Sequence, residues 1–198
     1  MTSAYPSNAP EQAHGAEHPN NNLTGFIIFL CSESVIFLAF FSGYALLKTS
    51  ALDWLPAGVD GLEWQKPLIN SIVLVSSSGT IYLAERAKAR ENIWGFRSFW
   101  LLTMALGSYF LYRQAVEWSG LKFGFTSGTF GGTFYLLTGF HGLHVATGVG
   151  LMTLMLIKSF IPGNYQGGEQ GVQATSLFWH FVDVIWIILF VLIYVWQV

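Results

Sequence analysis

The chain has 198 residues, of which 53% are hydrophobic, 17% aromatic and 10% charged. A soluble domain carries about a quarter charged residues, so this chain cannot both coat a water-facing surface and fill a core. A formal net charge of −2 excludes the basic footprint of a nucleic-acid binder, and the single cysteine, Cys31, excludes an internal disulfide or a cysteine metal cluster.

The first 22 residues are polar, rich in Asn, Pro and Ala, and lack Lys and Arg. They offer neither the basic start nor the small-residue cleavage site of a secretory leader, and a mobile tail is expected. Five apolar stretches follow, near 23–47, 68–86, 93–118, 129–158 and 174–196. Roughly 20 apolar residues cross about 30 Å of hydrocarbon as a helix, and only helices satisfy such a backbone in lipid. The expected fold is all-α: one membrane domain over 23–198, a polytopic bundle of five transmembrane helices behind the 1–22 tail.

In the first span, Glu33 stands near the midplane, with Phe26, Phe29, Phe37, Phe40 and Tyr44 on its side of a helical wheel. Such surroundings withdraw solvation and favour the neutral acid. Intramembrane carboxyls face protein or trapped water, so Glu33 reads as a proton-coupling residue or as a protonated group bonded to a neighbouring helix. Cys31, in the same span, reads as a small apolar filler. Pro67 suits the first turn of the second helix, where its missing N–H is not needed. Arg86, Lys88, Arg90 and Arg97 gather between spans two and three and place that loop in the cytoplasm, with the N-terminus inside and the C-terminus outside. Near the end of the third span, Arg113 and Glu117 are four apart and are expected to pair, in the weaker order for a helical ion pair.

In the fourth span His141, His144 and Gly148 share one face, and Gly139, Gly142, Ala146 and Gly150 lie nearly opposite. Small residues at that spacing let another helix approach closely, so this helix is expected at the centre of the bundle. Pro162–Gly163, with Gly167, Gly168 and Gly171, breaks the chain before the fifth span. There Ser176, His180 and Asp183 share a face, and His180 and Asp183 are placed to pair with each other or with the His141/His144 face. A di-metal bundle would need several inward Glu residues and two Glu-x-x-His motifs, which are absent, so no metal site and no catalytic residue is expected. Trp54, Trp64, Trp118, Tyr194 and Trp196 suit the aromatic belts at the membrane surfaces.

Four segments together resemble the haem–copper respiratory oxidase subunit III family in its bacterial five-helix form. They are Cys31-Ser32-Glu33-Ser34-Val35-Ile36-Phe37, Pro67-Leu68-Ile69-Asn70-Ser71, Thr138-Gly139-Phe140-His141-Gly142-Leu143-His144-Val145 and Phe178-Trp179-His180-Phe181-Val182-Asp183-Val184-Ile185-Trp186. The last two, in this order and at this separation, carry most of the specificity. The resemblance implies a non-catalytic subunit of an aa3-type cytochrome c oxidase, beside oxidase subunits I and II. Haem and copper would belong to those catalytic partners and none to this chain. It further implies that the chain stabilises the complex, binds phospholipid and supports proton uptake. Glu33 matches the family's intramembrane glutamate, and His141, His144, His180, Asp183 and Glu117 match buried polar positions with a structural role.

Two departures qualify the match. Many members have seven spans, and without the first two one wall of their lipid cleft is missing here. Ser127 stands before Gly128, where the family pattern leads one to expect an acidic residue. Glu at position 33 and the Trp179–Asp183 segment favour the cytochrome c branch over the alternative, subunit III of a quinol oxidase. A related nitric oxide reductase subunit is more distant. From a different class, a stand-alone proton or ion transporter using Glu33 would be expected to show internal repeats and broken helices, which are not evident. The expected location is the bacterial plasma membrane, or the thylakoid membrane in a cyanobacterium.

Overall fold

The structure is a computed structural model and describes residues 21–56, 58–59, 61–161 and 169–197. The expected tail up to residue 20, the Pro162–Gly163 break, Gly167 and Gly168 lie outside these residues. Five long helices follow one another: α1 (Asn21–Ser50), α2 (Gln65–Ala89), α3 (Ile93–Gly120), α4 (Gly128–Lys158) and α5 (Glu169–Phe190). A π-helical turn, Val191–Val195, continues α5. Asn21 and Asn22, assigned to the tail by composition, are already helical, and α5 begins five residues earlier than expected, at Glu169 rather than 174.

Four helical stretches are long and apolar enough to cross a membrane: Leu23–Ser50, Gln65–Ala89, Gly128–Lys158 and Gln170–Val195. The 28-residue α3 is long enough but less apolar. Its Leu and Phe residues are interleaved with Trp, Tyr, Ser and Gly, and Arg97, Arg113 and Glu117 stand within it.

Local chemistry sets the helix ends. Pro67 is the third residue of α2, in the first turn as expected. The chain turns sharply from α2 into α3 through Glu91, whose φ of 57° is left-handed, and the Asn92 side chain then caps α3 by accepting from the Gly95 N–H at 2.9 Å. Gly128 opens α4 with φ 77°, a conformation that glycine adopts without a Cβ penalty. At the opposite end of α4, Arg97 donates to the Ser159 hydroxyl and carbonyl and lies 3.9 Å over the Phe160 ring. This cation therefore ties the start of α3 to the end of α4.

The central helix is α5, not α4. Both helices touch three others, α5 meeting α1, α2 and α4, and α4 meeting α1, α3 and α5, but 50% of the apolar window of α5 is buried against 28% for α4. The cause is a run of large side chains: Phe178, Trp179, Val182, Ile185, Trp186 and Leu189 are all buried. α4 instead leaves Leu136, Leu143, Leu154 and Ile157 exposed. Of its small-residue stripe, Gly139 and Gly142 face α3, where an added Cβ would stand 3.4 Å from Trp118 and 3.9 Å from Leu111. Ala146 and Gly150 are exposed, and a Cβ at Gly150 would meet nothing. The closest approach falls on the other face. Added Cβ atoms would stand 2.4 Å from the Trp179 ring at Gly107 and 2.7 Å at Gly148, so these two glycines form the socket that admits the Trp179 indole. Cys31 is exposed on α1 rather than filling a gap.

Candidate functional site

Two polar links built on ionisable side chains cross the middle of the bundle. The first joins α1 to α4: His144 Nε2 is 3.1 Å from Glu33 Oε2, with the side chains 11% and 17% exposed. His144 Nδ1 lies 2.8 Å from the Phe140 carbonyl. A carbonyl oxygen only accepts, so Nδ1 carries a hydrogen. A single proton then lies between Nε2 and Oε2. It either sits on the carboxyl and is accepted by the imidazole, or sits on the imidazolium and is accepted by the carboxylate. The pair has no net charge in either form, which suits a site enclosed by aromatic rings. Phe140, Phe37 and Phe178 surround the imidazole with ring centroids 4.8, 5.0 and 6.1 Å away.

The second link joins α2 to α5 through Ser78. Its hydroxyl donates to Asp183 Oδ2 and lies 2.9 Å from His180 Nδ1. With the single hydroxyl proton given to the carboxylate, His180 must donate through Nδ1–H. His180 and Asp183 are thus bridged by a serine from another helix, and neither bonds directly to the other or to His141 or His144. Two indoles extend the connection: Trp179 donates to Ser77 and Trp186 to Ser71, each at 2.8 Å. The rungs run in opposite order along α2 and α5, as antiparallel neighbours require. The sequence reading did not single out Ser77 and Ser78. Their signal was available: Ser71, Ser77 and Ser78 line one side of an apolar helix, and tryptophans recur seven apart on α5.

His141 is fully buried, stacked 4.9 Å from Trp186 and edge-on to Phe110. Neither of its ring nitrogens has a hydrogen-bond partner among the described protein atoms. The Ser176 hydroxyl, also buried, is likewise without one. Glu117 does not pair with Arg113 at ion-pair distance. Its Oε1 accepts from the Tyr194 hydroxyl at 2.8 Å instead, because the π-helical turn after α5 brings Tyr194 against α3. Besides the Glu33–His144 contact, the described side chains form the exposed Glu63–Lys66 ion pair at 2.7 Å. There the hydrogen bond from Lys66, with the lysine charge behind it, holds the Glu63 carboxyl below its usual range.

Among the described residues, no three His, Cys, Asp or Glu side chains come together to share a metal ion.

Comparison with known proteins agrees with the sequence resemblance. Residues 12–198 match the family described as cytochrome c oxidase subunit III. A cytochrome c oxidase subunit 3 from Synechocystis is 41% identical over 187 residues, covering 93% of this chain and 80% of the relative. The corresponding subunit from Thermostichus vulcanus is 39% identical over 183 residues, covering 92% and 90%. That from Struthio camelus is 37% identical over 181 residues, covering 87% and 68%. These matches do not favour the quinol-oxidase or transporter alternatives.

Proposed function

Because this chain belongs to the cytochrome c oxidase subunit III family, we propose that it is a non-catalytic support for the oxidase, with no active site of its own. It is a multi-pass membrane protein and part of an oxidoreductase complex. In the proposed arrangement it flanks subunits I and II, which hold the haem and copper, and it stabilises them and assists proton uptake. All five helices cross the bilayer, α3 included, because α3 lies against α2 and α4 along the bundle. The N-terminus faces the cytoplasm, following the basic loop at Arg86–Arg97. The membrane is the bacterial plasma membrane, or the thylakoid membrane in a cyanobacterium.

One observation carries the non-catalytic reading. Glu33, Asp183 and Glu117 each bond to a side chain from a different helix. These three carboxyl groups are thus engaged in joining helices. Glu33 and His144 then act on proton delivery indirectly, by holding α1 in place, and phospholipid covers the part of their pair that protein leaves open.

The direct test is to purify this chain in mild detergent and record a reduced-minus-oxidised spectrum of the eluate. Haem a bands with cytochrome c oxidation are expected, and a colourless solitary chain would refute the assignment. Variants at Glu33 test its role. Glu33→Gln keeps a donor for His144 Nε2, so haem content and retention of this chain should match wild type. Glu33→Ala leaves the imidazole without a partner, and the resulting loss of about 1–3 kcal/mol should release the subunit during turnover and shorten the active lifetime. If Glu33→Gln instead lowered the initial turnover rate as much as Glu33→Ala, the shared proton itself would be required and the positioning role would be wrong.

A further inference from the structure

The helix that starts as α5 does not finish as an α-helix. Its last turn, Val191–Val195, is π-helical, and the Trp196 N–H donates to the Val191 carbonyl, five residues back, at 2.8 Å. Such a turn holds one residue more than an α turn and is rare, so side-chain contacts must favour it. Three contacts do so here. On the inner side, the Tyr194 hydroxyl donates to Glu117 on α3, and the tyrosine is 3% exposed. Beyond the turn, Lys48 near the end of α1 donates to the Trp196 carbonyl and lies 4.4 Å over the Trp196 ring. The Gln197 side chain completes the set. Its Oε1 accepts from the Leu62 N–H at 2.7 Å, and its Nε2 donates to the Leu62 carbonyl at 3.0 Å and the Tyr194 carbonyl at 2.7 Å. One side-chain amide thus pairs with both backbone groups of Leu62, as a neighbouring strand would. The chain before Leu62 is shaped for this. Gly61 has φ 139°, and a Cβ there would stand 2.9 Å from Gln197 Oε1.

Register ties these contacts together. An unbroken α-helix would carry Trp196 and Gln197 about 100° further round the axis, away from Lys48 and Leu62. Tyr194, inside the turn, would move off Glu117 in the same sense. We propose that this turn is a two-register element and that the pairing of Gln197 with Leu62 is the latch that holds it in the π register. With the latch closed, Tyr194 is packed on Glu117. With the latch open, the turn relaxes to the commoner α register, the Tyr194 ring leaves its buried place and the Glu117 carboxyl loses its donor. Gln197 is a positioning residue in this device, because it acts on Glu117 and the Tyr194 hydroxyl through the backbone. The device is separate from the two polar links at mid-bundle, which α5 makes before the turn begins.

The test uses the intact complex in mild detergent, treated with tetranitromethane, with the nitrated tyrosines mapped by mass spectrometry. Wild type should leave Tyr194 protected. Gln197→Ala removes all three bonds of the side-chain amide and should raise nitration of Tyr194 about tenfold, the change in population expected when a few such bonds are lost. Tyr44, 1% exposed on α1, should stay protected in the variant, as it must if the bundle itself has not loosened. Amide hydrogen exchange over residues 191–196 then separates a change of register from fraying. Both registers are hydrogen-bonded, so protection of these amides should stay near that of wild type. Unchanged nitration of Tyr194 would overturn the latch, and so would nitration of Tyr44 to the same degree as Tyr194. Fast exchange throughout 191–196 would mean that the helix end only frays, and the two-register reading would be wrong.

Discussion

Trp179→Ala is expected to destabilise the subunit by about 3–5 kcal/mol, as for other buried tryptophans truncated to alanine, read as a shift in detergent-induced dissociation from the complex. The side chain is fully buried, and its indole donates to Ser77. It occupies a socket that two other helices supply by carrying glycine at positions 107 and 148. The same contact can be attacked from the other side. A methyl group at Gly107 would stand 2.4 Å from a rigid ring, and overpacking of that kind costs about 1–3 kcal/mol. The two substitutions share one space, so they should not add: Gly107→Ala should be nearly harmless once Trp179 is alanine. Additive losses in the double variant would mean that Gly107 matters for some reason other than admitting the indole.

Ser78→Ala should produce the second largest loss. Membrane hydrogen bonds between helices are often worth only about 0.6 kcal/mol, because separated helices find other partners. Here one hydroxyl holds two groups at once, His180 Nδ1–H and Asp183 Oδ2. Removing it strands both, at about 1–3 kcal/mol each. Adding Asp183→Leu should recover part of that loss, since one stranded acceptor is then removed. Melting of Ser78→Ala at the wild-type temperature would sink this account, and so would further destabilisation on adding Asp183→Leu.

The helices and their approximate ends were readable from the sequence because lipid permits an uninterrupted apolar run only as a helix. What could not be read is how each helix is turned and which neighbours it has. Glu33, His144, His180 and Asp183 were all visible as unusual residues, yet the pairs they form depend on helix rotation. In a soluble helix, the polar stripe reveals the outward face. Here lipid and core are both apolar, so α1 exposes Val35 and Leu38 and buries Phe37 with no difference in polarity to mark the change. The same ambiguity made α4 look central. Its small-residue stripe was a valid packing signal, but only Gly139 and Gly142 have a helix against them. Arg113 and Glu117 failed as a pair for a related reason. Four-residue spacing allows contact, but Tyr194 arrives from a turn whose π-helical geometry leaves no mark in the pattern.

The serine–tryptophan ladder also bears on the order in which the bundle is made. Of the five helices, α5 is the last to leave the ribosome, and it supplies both Trp donors as well as His180 and Asp183. Until it arrives, Ser71, Ser77 and Ser78 on α2 have no partner across the gap, and the glycine socket on α3 and α4 stands open. The first four helices already hold contacts of their own, α2 against α3 and α3 against α4, and the fifth adds the ladder and fills the socket. Stalling synthesis before residue 169 should leave an intermediate that any partner subunit would have to recognise without its central helix.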